Sequence, residues 1–175
     1  MTGIDFRTHR EFKRGWRNNN PMNIRYVAEN KWKGKVKAEQ RKDSAFEEFT
    51  NCIWGWRAAF YLLMKYFFKN KLKTPRMIIS RWAPATENNT DAYVKNVMDF
   101  LHKNGYRYLE ENATLPIPER NLHLWQQLMK AMTVQESGWM PADSPEHELM
   151  GFYIEDAINE VLKLKEIKKL NDANK

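Results

Sequence analysis

The chain has 175 residues, with seven Trp, seven Tyr and nine Phe, and a formal net charge of +7. That length and aromatic content suit one domain, or one domain with a terminal appendage, and exclude a low-complexity or disordered chain. The single Cys52 excludes an intramolecular disulfide framework and zinc clusters built on cysteines, and no stretch has the length of a membrane span. The basic balance suits nucleic acid, an anionic membrane or an anionic wall polymer, and equally a solvated face with no polymer partner.

Residues 1–15 read as a basic N-terminal arm or short helix without the apolar run of a secretory signal, so synthesis in the cytoplasm is expected. Next comes Arg17-Asn18-Asn19-Asn20-Pro21-Met22-Asn23-Ile24-Arg25-Tyr26. Asn side chains bond local backbone and favour turns, and Pro21 disfavours a helical Asn20, so the run is irregular. Such a loop either holds its own backbone together or reads a polar, uncharged ligand such as a sugar. From Met22 to Phe49 the pattern shortens to that of strands, at 23–26, 32–38 and 45–49, predicting a small antiparallel sheet.

The helical part follows. Trp54 to Phe68 is apolar nearly all round and predicts a central buried helix. Thr74-Pro75 is a start signal for a helix to Trp82, ahead of Pro84. Asn89 or Thr90 caps another, whose Tyr93, Val94, Val97, Met98 and Leu101 keep helical spacing until Asn104-Gly105. Leu122, Trp125, Met129 and Met132 mark a helix ending near Gln135 to Gly138, and Ile154, Ile158, Val161 and Leu162 mark the last one before a lysine-rich tail expected to fray.

His9, His102, His123 and His147 have no metal-ligand spacing, no Gly-rich phosphate loop is present, and no cofactor or metal is expected. Cys52 reads as core. Carboxylates are the remaining source of chemistry. Cleaving a glycosidic bond needs a carboxylic acid beside apolar surface, where burial keeps it protonated. Two fit. Glu136 closes an apolar helix beside Ser137, Gly138 and Trp139, at a helix end where negative charge is unfavourable and asks for a reason. Glu87 lies in Arg81 to Thr90, just before a helix, where an acid also meets the dipole favourably without any function.

The ordered set Arg17-Asn18-Asn19-Asn20-Pro21-x-Asn23-Ile24-Arg25-Tyr26, Trp32-Lys33-Gly34, Phe46-x-x-Phe49, Gly55-x-Arg57-Ala58 and Arg81-Trp82-Ala83-Pro84-x-x-Glu87-Asn88-x-Thr90-x-x-Tyr93 resembles a group of phage and prophage proteins. These are often labelled virion structural proteins and look like relatives of the lysozyme superfamily, with Gly where this chain has Met22. A wider likeness joins Asn19 to Ile24 and Trp32-Lys33-Gly34 to flagellar-type glucosaminidases. Glu87-Asn88-Asn89-Thr90-x-x-Tyr93-Val94 and Gln135-Glu136-Ser137-Gly138 are similar to segments of soluble lytic transglycosylases, although there the catalytic glutamate precedes the sheet.

The resemblance implies a mainly α (α+β), lysozyme-like helical domain over 16–165 with a small antiparallel sheet near the N-terminus, and a basic tail over 166–175. It implies cleavage or binding of peptidoglycan or another anionic cell-wall glycan, at the wall, in the periplasm or as part of a virion. Glu136 would be the general acid and Glu87 its rival or a helper. Asn19, Asn20, Asn23 and Arg25 would position N-acetyl sugars, and Trp82 and Tyr93 would line the cleft. Lysozyme-type hydrolysis and a transglycosylase-like single-acid route both stay open. The alternatives are an inactive virion or interaction protein and, least favoured, a nucleic-acid-binding module using Lys31 to Lys37.

Overall fold

The computed structural model describes residues 3–173; the first two residues of the expected arm and the last two of the expected tail lie outside it. By contacts the chain divides into two compact units, Met1–Tyr61 with Glu136–Leu162 and Leu62–Gln135 with Lys163–Lys175.

The first unit begins as irregular chain that is anchored rather than loose. Phe6 is fully buried and meets Phe12 and Trp16 edge-on, with ring centroids 5.3 and 5.5 Å apart. A single helical turn, α1 (Arg14–Arg17), follows. Helix α2 (Cys52–Met64) starts in this unit, with Asn51 Oδ1 accepting from the Ile53 and Trp54 amides. Trp16 is the hub of the core, 5.6 Å from Trp56 and 6.2 Å from Trp139 between ring centroids. The long helix α6 (Glu146–Leu162) adds Met150, Ile154, Ala157, Ile158 and Val161, all buried on one stripe.

The small antiparallel sheet expected over 23–49 does not form. Among the described residues only two isolated antiparallel bridges occur, Arg25 with Phe46 and Lys35 with Phe49. A ladder needs consecutive backbone pairs, and here side chains take the partners that a neighbouring strand would supply. Asn20 Nδ2 donates to the Ile24 and Glu47 carbonyls, and Glu47 Oε1 accepts from the Val27 amide. Glu48 Oε1 accepts from the Lys42 and Asp43 amides, and Asp43 Oδ1 from those of Ala45 and Phe46. Residues 38–40 close into a 3-10 turn. Strand alternation would send one of Glu47 and Glu48 outward, yet both are buried, each turned onto loop backbone. The fold is mainly α, as expected, but over 23–49 buried acids and amides knit an irregular loop layer in place of the sheet.

The second unit is helical, and its local signals read as expected. A π-helical turn, Lys65–Lys69, extends the line of α2. Helix α3 (Pro75–Trp82) is capped by Thr74, whose Oγ1 accepts from the Met77 amide. Helix α4 (Thr90–Lys103) is capped by Asn89 and buries the five apolar residues read from its spacing. Helix α5 (Leu122–Ser137) carries Trp125, fully buried, with its indole N–H donated to the Pro116 carbonyl at 2.9 Å. The lysine-rich tail is not frayed through 172: it forms α7 (Lys165–Asp172), with Ile167 and Asn171 buried. The unit boundaries fall within α2, after Tyr61, and within α5, before Glu136.

Candidate functional site

The Asn-rich loop takes its shape from its own amides. The chain turns left-handed at Asn19 (φ 51°) and Asn23 (φ 50°), a conformation Asn tolerates better than other non-glycine residues. Met22 needs no such geometry and is fully buried. Asn19 Oδ1 accepts from the Phe6 amide at 2.8 Å, while its Nδ2 donates to Asp5 Oδ1 at 2.7 Å and to the Phe49 carbonyl at 2.9 Å. Asn20 grips Ile24 through both its amide and its carbonyl, at 2.9 Å each. Both side chains are wholly inaccessible. Asn20 therefore binds backbone, and Asn19 binds backbone and the Asp5 carboxylate. The loop can lie this close to α2 because Gly55 faces it: a Cβ there would stand 2.1 Å from the Asn19 carbonyl oxygen.

Asn23 is different. It is half-buried, and its Nδ2 donates to the Glu136 carbonyl at 3.2 Å and to Glu136 Oε2 at 3.1 Å. The last turn of α5 is thus held from outside the helix. Trp16 completes the end cap by donating its indole N–H to the Gly138 carbonyl at 3.3 Å. This supplies the reason that an acid at a helix C-terminus calls for: an amide donor offsets the unfavourable dipole and one orphan carbonyl together. Ser137 Oγ and Asn23 Oδ1 are buried without a hydrogen-bond partner. Both crowd Gly15 of α1, where a Cβ would lie 1.9 Å from Ser137 Oγ and 2.8 Å from Asn23 Oδ1. The result is a half-buried carboxylate, an amide and a hydroxyl gathered at one helix end, next in sequence to Trp139 of the indole cluster.

Of the other residues singled out, Arg25 is exposed in this first unit, its guanidinium 5.0 Å from the Phe46 ring centroid. Glu87, Trp82 and Tyr93 belong to the second unit. Glu87 is exposed in the turn after α3, where its amide and that of Asn88 both bond the Pro84 carbonyl. Trp82 is half-buried and edge-on to Tyr66 at 6.3 Å. Tyr93 is 4% exposed, with its hydroxyl 3.5 Å from the Met132 carbonyl. Cys52 is fully buried, and burial pushes its thiol up to about 12, so it is no thiolate at neutral pH. Among the described residues no group of His, Cys, Asp or Glu could hold a metal ion, and no helix is long and apolar enough to cross a membrane.

Sequence reading missed Gly15, named Ser137 only as a neighbour of Glu136, and missed an arginine-lined cleft on the same unit. Gly15 carries no local signal, because the close approach it permits comes from a residue more than a hundred positions away.

These features define a mainly helical protein whose asparagine-pinned loop presents one carboxylate at a helix terminus. No family model matches the chain. It does have a phage homologue: it is 39% identical over 89 residues to Protein P5 of Pseudoalteromonas phage PM2, a stretch covering 50% of this chain. The aligned stretch spans about half, 54%, of the length of that relative.

Proposed function

We propose that this protein is a phage-type component that acts on peptidoglycan glycan strands, with Glu136 as the proton donor. The observation that carries the reading is the pairing of Glu136 with the Asn23 amide at the end of α5, with the half-buried Trp139 three residues on. Glycosidic cleavage requires a carboxyl group fixed in orientation, and aromatic faces suit the apolar faces of sugar rings. Glu136 would protonate the bridging oxygen as its bond to the anomeric carbon breaks. The resulting carboxylate would then take a proton from the oxygen that attacks that carbon. That oxygen belongs to water in hydrolysis and to the sugar's own hydroxyl in a transglycosylase-like route. Asn23 would orient the acid and Arg25 would contact the chain of sugars. Asn19 and Asn20 would act at one remove, by fixing the loop, and Glu87 is the rival acid. A net charge of +7 favours an anionic wall.

A second reading is a non-catalytic virion component. It is supported by the phage relative and by the fact that Asn23 ties both the carbonyl and the carboxylate of Glu136 at the helix end without any ligand.

Incubation of purified protein with peptidoglycan, with identification of the sugar ends released, separates the two. The enzymatic reading expects release that Glu136→Gln abolishes and Glu87→Gln spares. No release by the unmodified protein at any pH supports the second reading, and unchanged release by Glu136→Gln removes Glu136 as the acid.

A further inference from the structure

The N-terminal segment and the loop ahead of Phe46 enclose a cleft of about 610 Å3 in the first unit. Its lining holds no aliphatic or aromatic residue. Five cations, Arg7, Arg10, Arg14, Arg17 and Lys42, face three carboxylates, Asp5, Asp43 and Glu48, which leaves two positive charges in excess.

The carboxylates take part in building the cleft. Asp43 takes Arg14 Nε and Nη2, both at 2.5 Å, Asn18 Nδ2 at 2.6 Å and two backbone amides. Burial alone would raise its proton affinity, but these donors outweigh burial and hold it well below the usual carboxylate range. Asp5 is tied to Arg7 and Asn19, and Glu48 to the Lys42 and Asp43 amides. Arg7 and Arg14 are thereby fixed in place. The other three cations are not: Arg10, Arg17 and the Lys42 ammonium are exposed and make no side-chain hydrogen bond or ion pair with any described residue. They come from separate stretches of chain and converge on one concave surface whose own acids cannot neutralise them.

The chemistry of the missing counter-charge follows. A wall without apolar groups offers no aromatic ring for a nucleobase and no pocket for an acyl chain. Guanidinium forks match tetrahedral and planar oxyanions with paired N–H donors. An excess of two charges matches a dianion, and a phosphate monoester carries about −1.5 to −2 at neutral pH. We propose that this cleft binds a terminal phosphate group, held by Arg10, Arg17 and Lys42 against the fixed Arg7 and Arg14. The site is separate from the Glu136 turn and does not depend on the activity proposed there.

Calorimetric titration of the full chain at low salt tests it, with inorganic phosphate, glycerol 3-phosphate, dimethyl phosphate and glutarate as probes. The expected result is saturable binding of the first two, with the monoanionic diester and the dicarboxylate at least about tenfold weaker. Arg17→Gln with Lys42→Gln weakens glycerol 3-phosphate about tenfold or more without moving the melting temperature, whereas Lys168→Gln in the second unit leaves binding unchanged. Equal binding to glycerol 3-phosphate and inorganic phosphate marks a free-phosphate site, and tighter binding to the ester marks a phosphorylated metabolite or polymer end. The proposal is overturned by no saturation up to about 10 mM, by glutarate or the diester binding as well, or by wild-type affinity in the double variant. It is also overturned if an unphosphorylated single-stranded oligonucleotide displaces phosphate, since that would make the cleft a backbone-diester groove.

Discussion

Replacing Asn20 by Ala tests whether the Asn-rich loop is architecture. The side chain is wholly buried and makes three bonds of 2.9–3.0 Å, to the Ile24 amide, the Ile24 carbonyl and the Glu47 carbonyl. The Ile24 carbonyl keeps a second donor, the Glu47 amide at 2.9 Å, so two backbone groups are orphaned: Ile24 N–H and Glu47 C=O. A buried polar group left unpaired costs about 1–3 kcal/mol, so the variant should lose about 4 kcal/mol. At about 2–4 °C per kcal/mol for a chain of this size, the melting temperature should fall by roughly 10 °C. Asn20→Asp should be worse than Asn20→Ala, because it keeps one acceptor but turns buried negative charge onto two carbonyl oxygens. Urea unfolding followed by tryptophan fluorescence is the assay, as five of the seven Trp lie in this unit. A midpoint shift at constant slope gives the stability change. A loss under about 1 kcal/mol, or an Asp variant more stable than the Ala variant, would refute the reasoning.

Gly55→Ala should be severely destabilising, beyond the usual 1–3 kcal/mol of overpacking, since its new methyl would meet the rigid Asn19 carbonyl rather than a side chain that can swing away; circular dichroism melting measures it. Gly15→Ala should cost about 1–3 kcal/mol, and Ser137→Gly in the same chain should recover part of that, because Ser137 Oγ is the nearest atom the methyl meets; a double-mutant cycle in urea reads the coupling. Acid unfolding should report Asp43 and Asp5. Burial works to raise both, and hydrogen bonds from Arg14 and from Arg7 overcome it, bringing Asp5 down to about 2. Because the folded state holds these carboxyls below their ordinary value of 3.8, their stabilisation is complete above that pH and disappears as pH falls through the folded values. Asp43→Asn should therefore lower stability at neutral pH and flatten the decline below about pH 4, measured as urea midpoints against pH.

Local signals were legible wherever one short stretch contains both partners of an interaction. Thr74 with Pro75, and Asn89 ahead of Ala92, cap helices through bonds spanning three residues, so the pattern names the element. The apolar spacing of Tyr93 to Leu101 likewise set the buried face of α4 before any neighbour was known. The Asn run was readable as irregular, since Asn and Pro disfavour helix locally, but its two meanings were not separable. Holding the backbone, as Asn19 and Asn20 do, depends on Phe49 and Glu47 arriving from the far side of the loop.

Tertiary structure alone decided the rest. Strand-like alternation over 23–49 suggested a sheet, yet only two isolated bridges form, and Glu47 and Glu48 turn inward onto the amides of Val27, Lys42 and Asp43, since a carboxylate can accept from successive N–H groups of an irregular loop. Glu136 was visible as an acid at an unfavourable helix end, whereas its partner Asn23 lies 113 residues away in sequence. The same holds for the arginine cleft: the charges are plain in the sequence, and which of them are already neutralised is set only when Asp43 folds back against Arg14.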